Sequence, residues 1–312
     1  MNEDLGIGLE YDEAQESKGT YLMQDGAIEN EEPGNIFAGV LDLIPLPENV
    51  AWNLRIGVEG VIITLLSVYV VQGINIPEAG LVGLSLASAA MVPRFNTVLA
   101  TNRERIWAAP GTGRTANTQS AISGMSIFGG MFLGFLIMAI FADSGGFKGD
   151  FAFILKETGF KPGDILSPER FALGYEVIIH NLFVLVALAI LALLYRSLGT
   201  MIALGWNASV WAITLVLFIQ GGSGGDTSQF LHTVIVIVAI MPHLIMEAFG
   251  YVIGALSGVF LSRGIIRYEY SDPRLRRVLT AVLVLAGVSV VLIIAGGLIE
   301  INYAPQVLGL AQ

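Results

Sequence analysis

The chain contains no cysteine, which excludes disulfides, thiolate catalysis and zinc–thiolate sites. Charge is scarce as well. Asp, Glu, Lys and Arg make up 13% of the 312 residues, against roughly 25% in soluble domains. Lysine is the rarest ion, with 4 residues against 12 arginines. Histidine occurs three times, as His180, His232 and His243, so imidazole chemistry has few places to reside. No HExxH is present, and zincin-type metal chemistry has no footing. The stretch GTGRT at 111–115 lacks the GxxxxGK[ST] frame and reads as a flexible cytoplasmic loop rather than a phosphate cradle. Basic patches interleaved with aromatics are missing, so nucleic acid is not an expected partner. No cofactor is expected either.

What the chain has is apolar surface, with 54% hydrophobic residues. That composition points to a polytopic membrane protein. Its net charge of −10 is concentrated at one end. Residues 1–50 hold 12 acids and one base, Lys18, leaving 14 acids and 15 bases for the remainder. The segment is poor in aliphatics up to Ile36 and reads as a disordered, solvating tail. It has no basic n-region followed by an early apolar run, so it is not expected to be a signal peptide.

A spanning helix takes about 20 apolar residues. Runs of that kind lie at 53–73, 119–142, 172–195, 199–220 and 278–299. A shorter one, 77–93, starts at Pro77 and is marginal at 17 residues. The stretch 228–263 is apolar for 36 residues, about 54 Å as a helix, well beyond a hydrocarbon core of about 30 Å. A break is expected at Pro242, giving a re-entrant or interfacial helix at 228–241 and a true span at 242–263. The expected fold is all-α: a polytopic transmembrane helix bundle of about seven spans, with a proline-broken penultimate segment and a short tail at 306–312.

Lysine and arginine set the orientation. One side of this arrangement collects Lys18, Arg55, Arg94, Arg103, Arg105, Arg114, Arg196, Arg263, Arg267, Arg274, Arg276 and Arg277; the other has Lys148, Lys156, Lys161 and Arg170. The N-terminus is therefore expected in the cytoplasm and the C-terminus outside, in a multi-pass protein of the cell membrane. The largest external element is 143–171, a mixed-charge loop with room for a short amphipathic helix.

Ionisable groups at membrane depth are costly and count as functional candidates. Arg55 and Glu59 stand four apart and can pair with each other. Glu176 and His180 repeat that spacing, followed by Asn181, and His243 and Glu247 repeat it again. Residues 243, 247, 250, 254 and 258 fall on one helical stripe. Gly250, Gly254 and Gly258 form a ridge that admits a close helix neighbour, for which Ser126, Gly130 and Gly134 are a candidate partner. His243 and Glu247 therefore look into the bundle. Should Glu176 and His180 come to the same depth, two imidazoles and two carboxylates would meet. That set suits a divalent metal, a hydrogen-bonded structural cluster, or a proton or substrate path; sequence leaves all three open. Asn207 heads a formal Asn-Ala-Ser sequon, but it lies within a span.

The stretch PHLIMEAFGYVIGALSG resembles the stage II sporulation protein M family, whose members carry Pro-His-Gly-x-x-Glu before a small-residue helix. Pro242, His243 and Glu247 match, while Leu244 replaces the glycine. NLFVLVALAILALLYRSLGTMIALGWNASVWA, residues 181–212, resembles the family's asparagine-bearing span and GWNAS segment. Asn181 and Asn207 match there, with His180 where many members have asparagine. SLASAAMVPRFNTVL, residues 85–99, is similar to archaeal-type members. The resemblance covers roughly 52–305. It implies a non-enzymatic polytopic scaffold, with the bilayer, membrane or envelope proteins, and a second copy of the chain as candidate partners. A transporter or permease component is the alternative.

Overall fold

The computed structural model describes residues 48–76, 78–108, 113–142, 149–158, 174–220 and 228–309. Residues 1–47, Pro77 and most of 143–171 lie outside the described residues, and with them the expectations placed on the tail, on Pro77 as a helix start and on most of the external loop. Residues from Trp52 onward form one compact body.

The protein is an all-α polytopic bundle. Among the described residues, six helices are long and apolar enough to cross a membrane. In chain order the elements are α1 (Glu48–Gly73), α2 (Ala79–Ala108), α3 (Gly113–Phe141), the short α4 (Ala152–Thr158), α5 (Tyr175–Gln220), α6 (Gln229–Arg267), α7 (Pro273–Asn302) and the short α8 (Ala304–Leu308). Helices dominate because a backbone in lipid must satisfy its own hydrogen bonds.

The 46 residues of α5 are two antiparallel arms. Arg196 interrupts them with φ 54° and ψ −128°. A side chain at Gly199 would collide with the backbone carbonyl of Leu191. Those residues are eight apart, about 12 Å in a straight helix, so the chain has reversed at Arg196. The arms match the apolar runs 172–195 and 199–220. Counting them separately gives seven apolar segments.

Two prolines do not end their helices. Pro93 lies inside α2, which runs 30 residues where the sequence suggested a marginal 17. Pro242 lies inside α6, which continues unbroken for 39 residues, about 58 Å. The expected helix break, and the separate re-entrant helix at 228–241, are therefore corrected. Proline costs one ladder hydrogen bond and some crowding, but packing holds both sides of it. Val236, Ala239 and Ile240 before Pro242 share one buried cluster with Leu244 after it, along with Leu215, Phe218, Ala304 and Leu308. Surplus length is thus absorbed by protein contact. Of the expected C-terminal tail at 306–312, the described part through Leu308 belongs to α8, which docks on α6 through Ala304 and Leu308. The glycine-rich stretch at 111–115 is also revised: Gly113 to Thr115 form the first turn of α3.

The small-residue ridges pair differently from expectation. Gly130 and Gly134 of α3 face Gly57, Gly60 and Thr64 of α1. The ridge on α6 meets two other helices: Gly250 packs on Ile293 of α7, while Gly254 and Gly258 pack on Leu185 and Ala189 of α5. Of the expected external loop, Phe151, Phe153 and Ile154 are buried. Phe153 packs against Trp206 at 5.5 Å, and Gln72 donates to Asp150 at 2.5 Å. That part of the loop is docked in the body.

Candidate functional site

The stripe on α6 carries its two ionisable residues to the junction of α5, α6 and α7. Glu247 is 4% exposed and His243 6%. Asn181, early in α5, donates from Nδ2 to Glu247 Oε1 at 2.6 Å. From the third side comes Gly296 of α7, where an added Cβ would lie 2.7 Å from Glu247 Cγ and 3.4 Å from the His243 carbonyl oxygen. The adjacent Gly297 presses on Ile178 of α5. These approaches need glycine, because any side chain would hold the helices apart.

Glu300 stands one turn beyond Gly296 on the same face of α7. Because Gly250 packs on Ile293 and Gly296 on Glu247 and the His243 carbonyl, α7 runs antiparallel to α6, and Glu300 lies one turn past Glu247 toward the His243 end. Tyr251, one turn past Glu247, is fully enclosed and packs against Trp211 at 5.7 Å. Trp211 in turn meets Phe128 of α3 edge-on at 5.5 Å. These aromatic rings stand at the level of Tyr251, one turn from Glu247 along α6. Nδ1 of His243 is buried and makes no well-formed hydrogen bond among the described residues; the Ala239 carbonyl, one turn back on α6, is the backbone acceptor near the imidazole.

Other sequence candidates lie elsewhere. Glu176 and His180 are exposed on α5 and do not join the cluster. Helical periodicity explains the split: Asn181 is one step, about 100°, around from His180, and only Asn181 faces α6. The convergence of two His–Glu pairs, left open by the sequence, does not occur among these residues. Among the described residues no three His, Asp or Glu side chains are grouped closely enough to hold a metal. Asn207 is buried, but it donates to the Ala203 carbonyl in its own helix at 2.9 Å. His232 is buried too, with Nε2 3.1 Å from the Phe218 carbonyl, and ties α6 to α5. Glu59 is bonded across to Arg94 of α2 at 2.6 Å, beneath the Trp52 ring.

Sequence reading missed Glu300, Tyr251 and Gly296. Glu300 is the only acid between Pro273 and Leu308. Ending the last apolar run at 299 hid it, whereas treating every acid near a span as a candidate would have found it.

A second polar region lies at the arginine-rich end. Arg263 of α6 donates to Asn96 Oδ1 at 2.6 Å and to Ser197 Oγ at 3.1 Å, linking α2, the α5 turn and α6. Nearby, Asn102 donates to Asn117 Oδ1 at 3.1 Å and Ser120 Oγ at 2.7 Å, linking α2 to α3.

No family model, no curated protein and no solved structure matches this chain.

Proposed function

We propose that the chain is a non-enzymatic scaffold of the cell membrane, with its N-terminus cytoplasmic and its C-terminus external. One observation carries this reading. Glu247 is hydrogen-bonded to Asn181 and packed directly against the backbone of α7 at Gly296. A polar group fixed on two sides by other helices clamps the junction, and buried polar pairs serve that purpose in membrane bundles. The excess of arginine at one end of the spans supports the orientation. The likeness of PHLIMEAFGYVIGALSG to the stage II sporulation protein M family supports the scaffold role. Its partners in this reading are the bilayer, membrane or envelope proteins, and a second copy of the chain.

The placement of Glu300 one turn past the Gly296–Glu247 contact favours one second reading, a transporter or permease component. Two acids and a buried imidazole at one helix junction are the groups a proton or cation path would use.

The two readings separate in one comparison. Cross-linking in intact cells, then purification in mild detergent, recovers a defined complex whose yield is unchanged by Glu247→Gln. Purified chain in sealed vesicles shows no proton or cation flux under an imposed gradient. Flux that Glu247→Gln abolishes would overturn the scaffold in favour of transport.

A further inference from the structure

The arginine-rich end holds a cavity of about 390 Å³ between α2, α3, α6 and α7. Small-molecule sites fall within roughly 300–1,000 Å³. Four guanidinium groups line it: Arg103, Arg263, Arg267 and Arg277. Arg263 feels the like charges of Arg103, Arg196 and Arg267. Among the described residues, no carboxylate is bonded to Arg103, Arg267 or Arg277. Of the acids nearest in sequence, Glu104 and Glu269 are exposed and Asp272 is committed to Arg274 at 2.8 Å. Hydrogen bonds from Arg274 hold its carboxyl below the usual carboxylate range. A cluster of like charges with no ion pair among the described residues is relieved by a bound anion.

Two further features narrow the anion. Guanidinium groups present paired donors that match phosphate oxygens, and Asn102 and Asn117 add neutral polar groups to the lining. Phe260, Val278 and Ala281 give the lining an apolar share. Trp107 and Tyr268 also line the cavity and meet edge-on at 6.2 Å. Tryptophan and tyrosine favour the headgroup level of a bilayer, where basic pockets between helices take up anionic headgroups.

We propose that this cavity binds the phosphate group of an anionic phosphate ester. A lipid headgroup and a free phosphorylated molecule share that chemistry. The apolar share of the lining gives the lipid a place for the start of its chains.

Purified full-length chain in a neutral detergent is titrated with phosphatidylglycerol, phosphatidylcholine and glycerol phosphate. Thermal unfolding is the readout, with lipid adducts followed by native mass spectrometry. A stabilisation by phosphatidylglycerol that glycerol phosphate does not reproduce assigns the site to lipid. Equal stabilisation by glycerol phosphate assigns it to a free ester. Either response weakens by about tenfold or more in apparent affinity in Arg103→Gln/Arg267→Gln, at roughly one factor of five per arginine. Both arginines are exposed, so this variant keeps the fold, and Arg267→Gln alone gives a smaller loss. Arg276→Gln removes a neighbouring exposed charge that does not line the cavity, and retains the response. Equal stabilisation by phosphatidylcholine, no response to either anion, or equal loss in Arg276→Gln overturns the proposal.

Discussion

Gly296 of α7 lies directly on the side chain of Glu247 of α6, leaving no room for a methyl group between them. A Cβ at 296 would stand 2.7 Å from Glu247 Cγ, so Gly296→Ala must displace the carboxyl group from Asn181 or push the helices apart. We expect a loss of about 1–3 kcal/mol, the usual cost of overpacking, read as a lower unfolding temperature in detergent. Gly287 of the same helix has open space around it. Gly287→Ala should be neutral or stabilising by up to about 1 kcal/mol through helix propensity. Equal effects at the two sites would mean that the close approach is not tight.

The Asn181–Glu247 hydrogen bond predicts coupling between those positions. Asn181→Leu leaves the buried carboxyl group without its donor, at a cost of about 1–3 kcal/mol. In Glu247→Leu the amide is the group left over. The double variant should lose less than the sum, by about 1 kcal/mol, within the range found for hydrogen bonds between membrane helices. Unfolding of all four proteins in one detergent gives the cycle, and additive losses would remove the bond from the account. Sequence spacing points to His243, four residues away, as the coupling partner of Glu247; the structure moves that role to Asn181.

That displacement illustrates what sequence can and cannot carry. The inward stripe of His243, Glu247, Gly250, Gly254 and Gly258 is legible because a helix fixes which residues share a face. Which neighbour that face meets depends on how helices distant in sequence pack. The stripe therefore meets Leu185, Ala189 and Ile293 rather than Gly130 and Gly134. Pro242 departs from its local expectation for a related reason: its cost is real, but burial of Val236 and Leu244 in one cluster outweighs it. The hairpin in α5 is legible as two apolar runs, while the single residue that turns it is not.

Arg196 makes that turn at positive φ, a conformation favoured by glycine. Holding it costs of order 1–3 kcal/mol. Arg196→Gly should recover part of this and raise the unfolding temperature. Gly199→Ala should do the opposite, because its methyl group would meet the Leu191 carbonyl. A fall in stability with Arg196→Gly would show that contacts of the arginine side chain outweigh its backbone strain.

His243 offers the sharpest division between the readings. Its Nδ1 is buried with no well-formed hydrogen bond among the described residues, the Ala239 carbonyl being its nearby backbone acceptor, so the imidazole contributes packing with its polar atoms at best partly compensated. If the cluster only clamps helices, His243→Leu, close in volume and without polar atoms, should leave stability unchanged or raise it. Complex yield after cross-linking should then stay at the level of the parent chain. If the imidazole serves a proton or cation path, the same substitution should abolish flux in sealed vesicles while leaving the unfolding temperature intact. Unfolding measured beside flux therefore separates a packing residue from a working one. A marked loss of stability in His243→Leu would instead mean that the imidazole makes a bond essential to the junction.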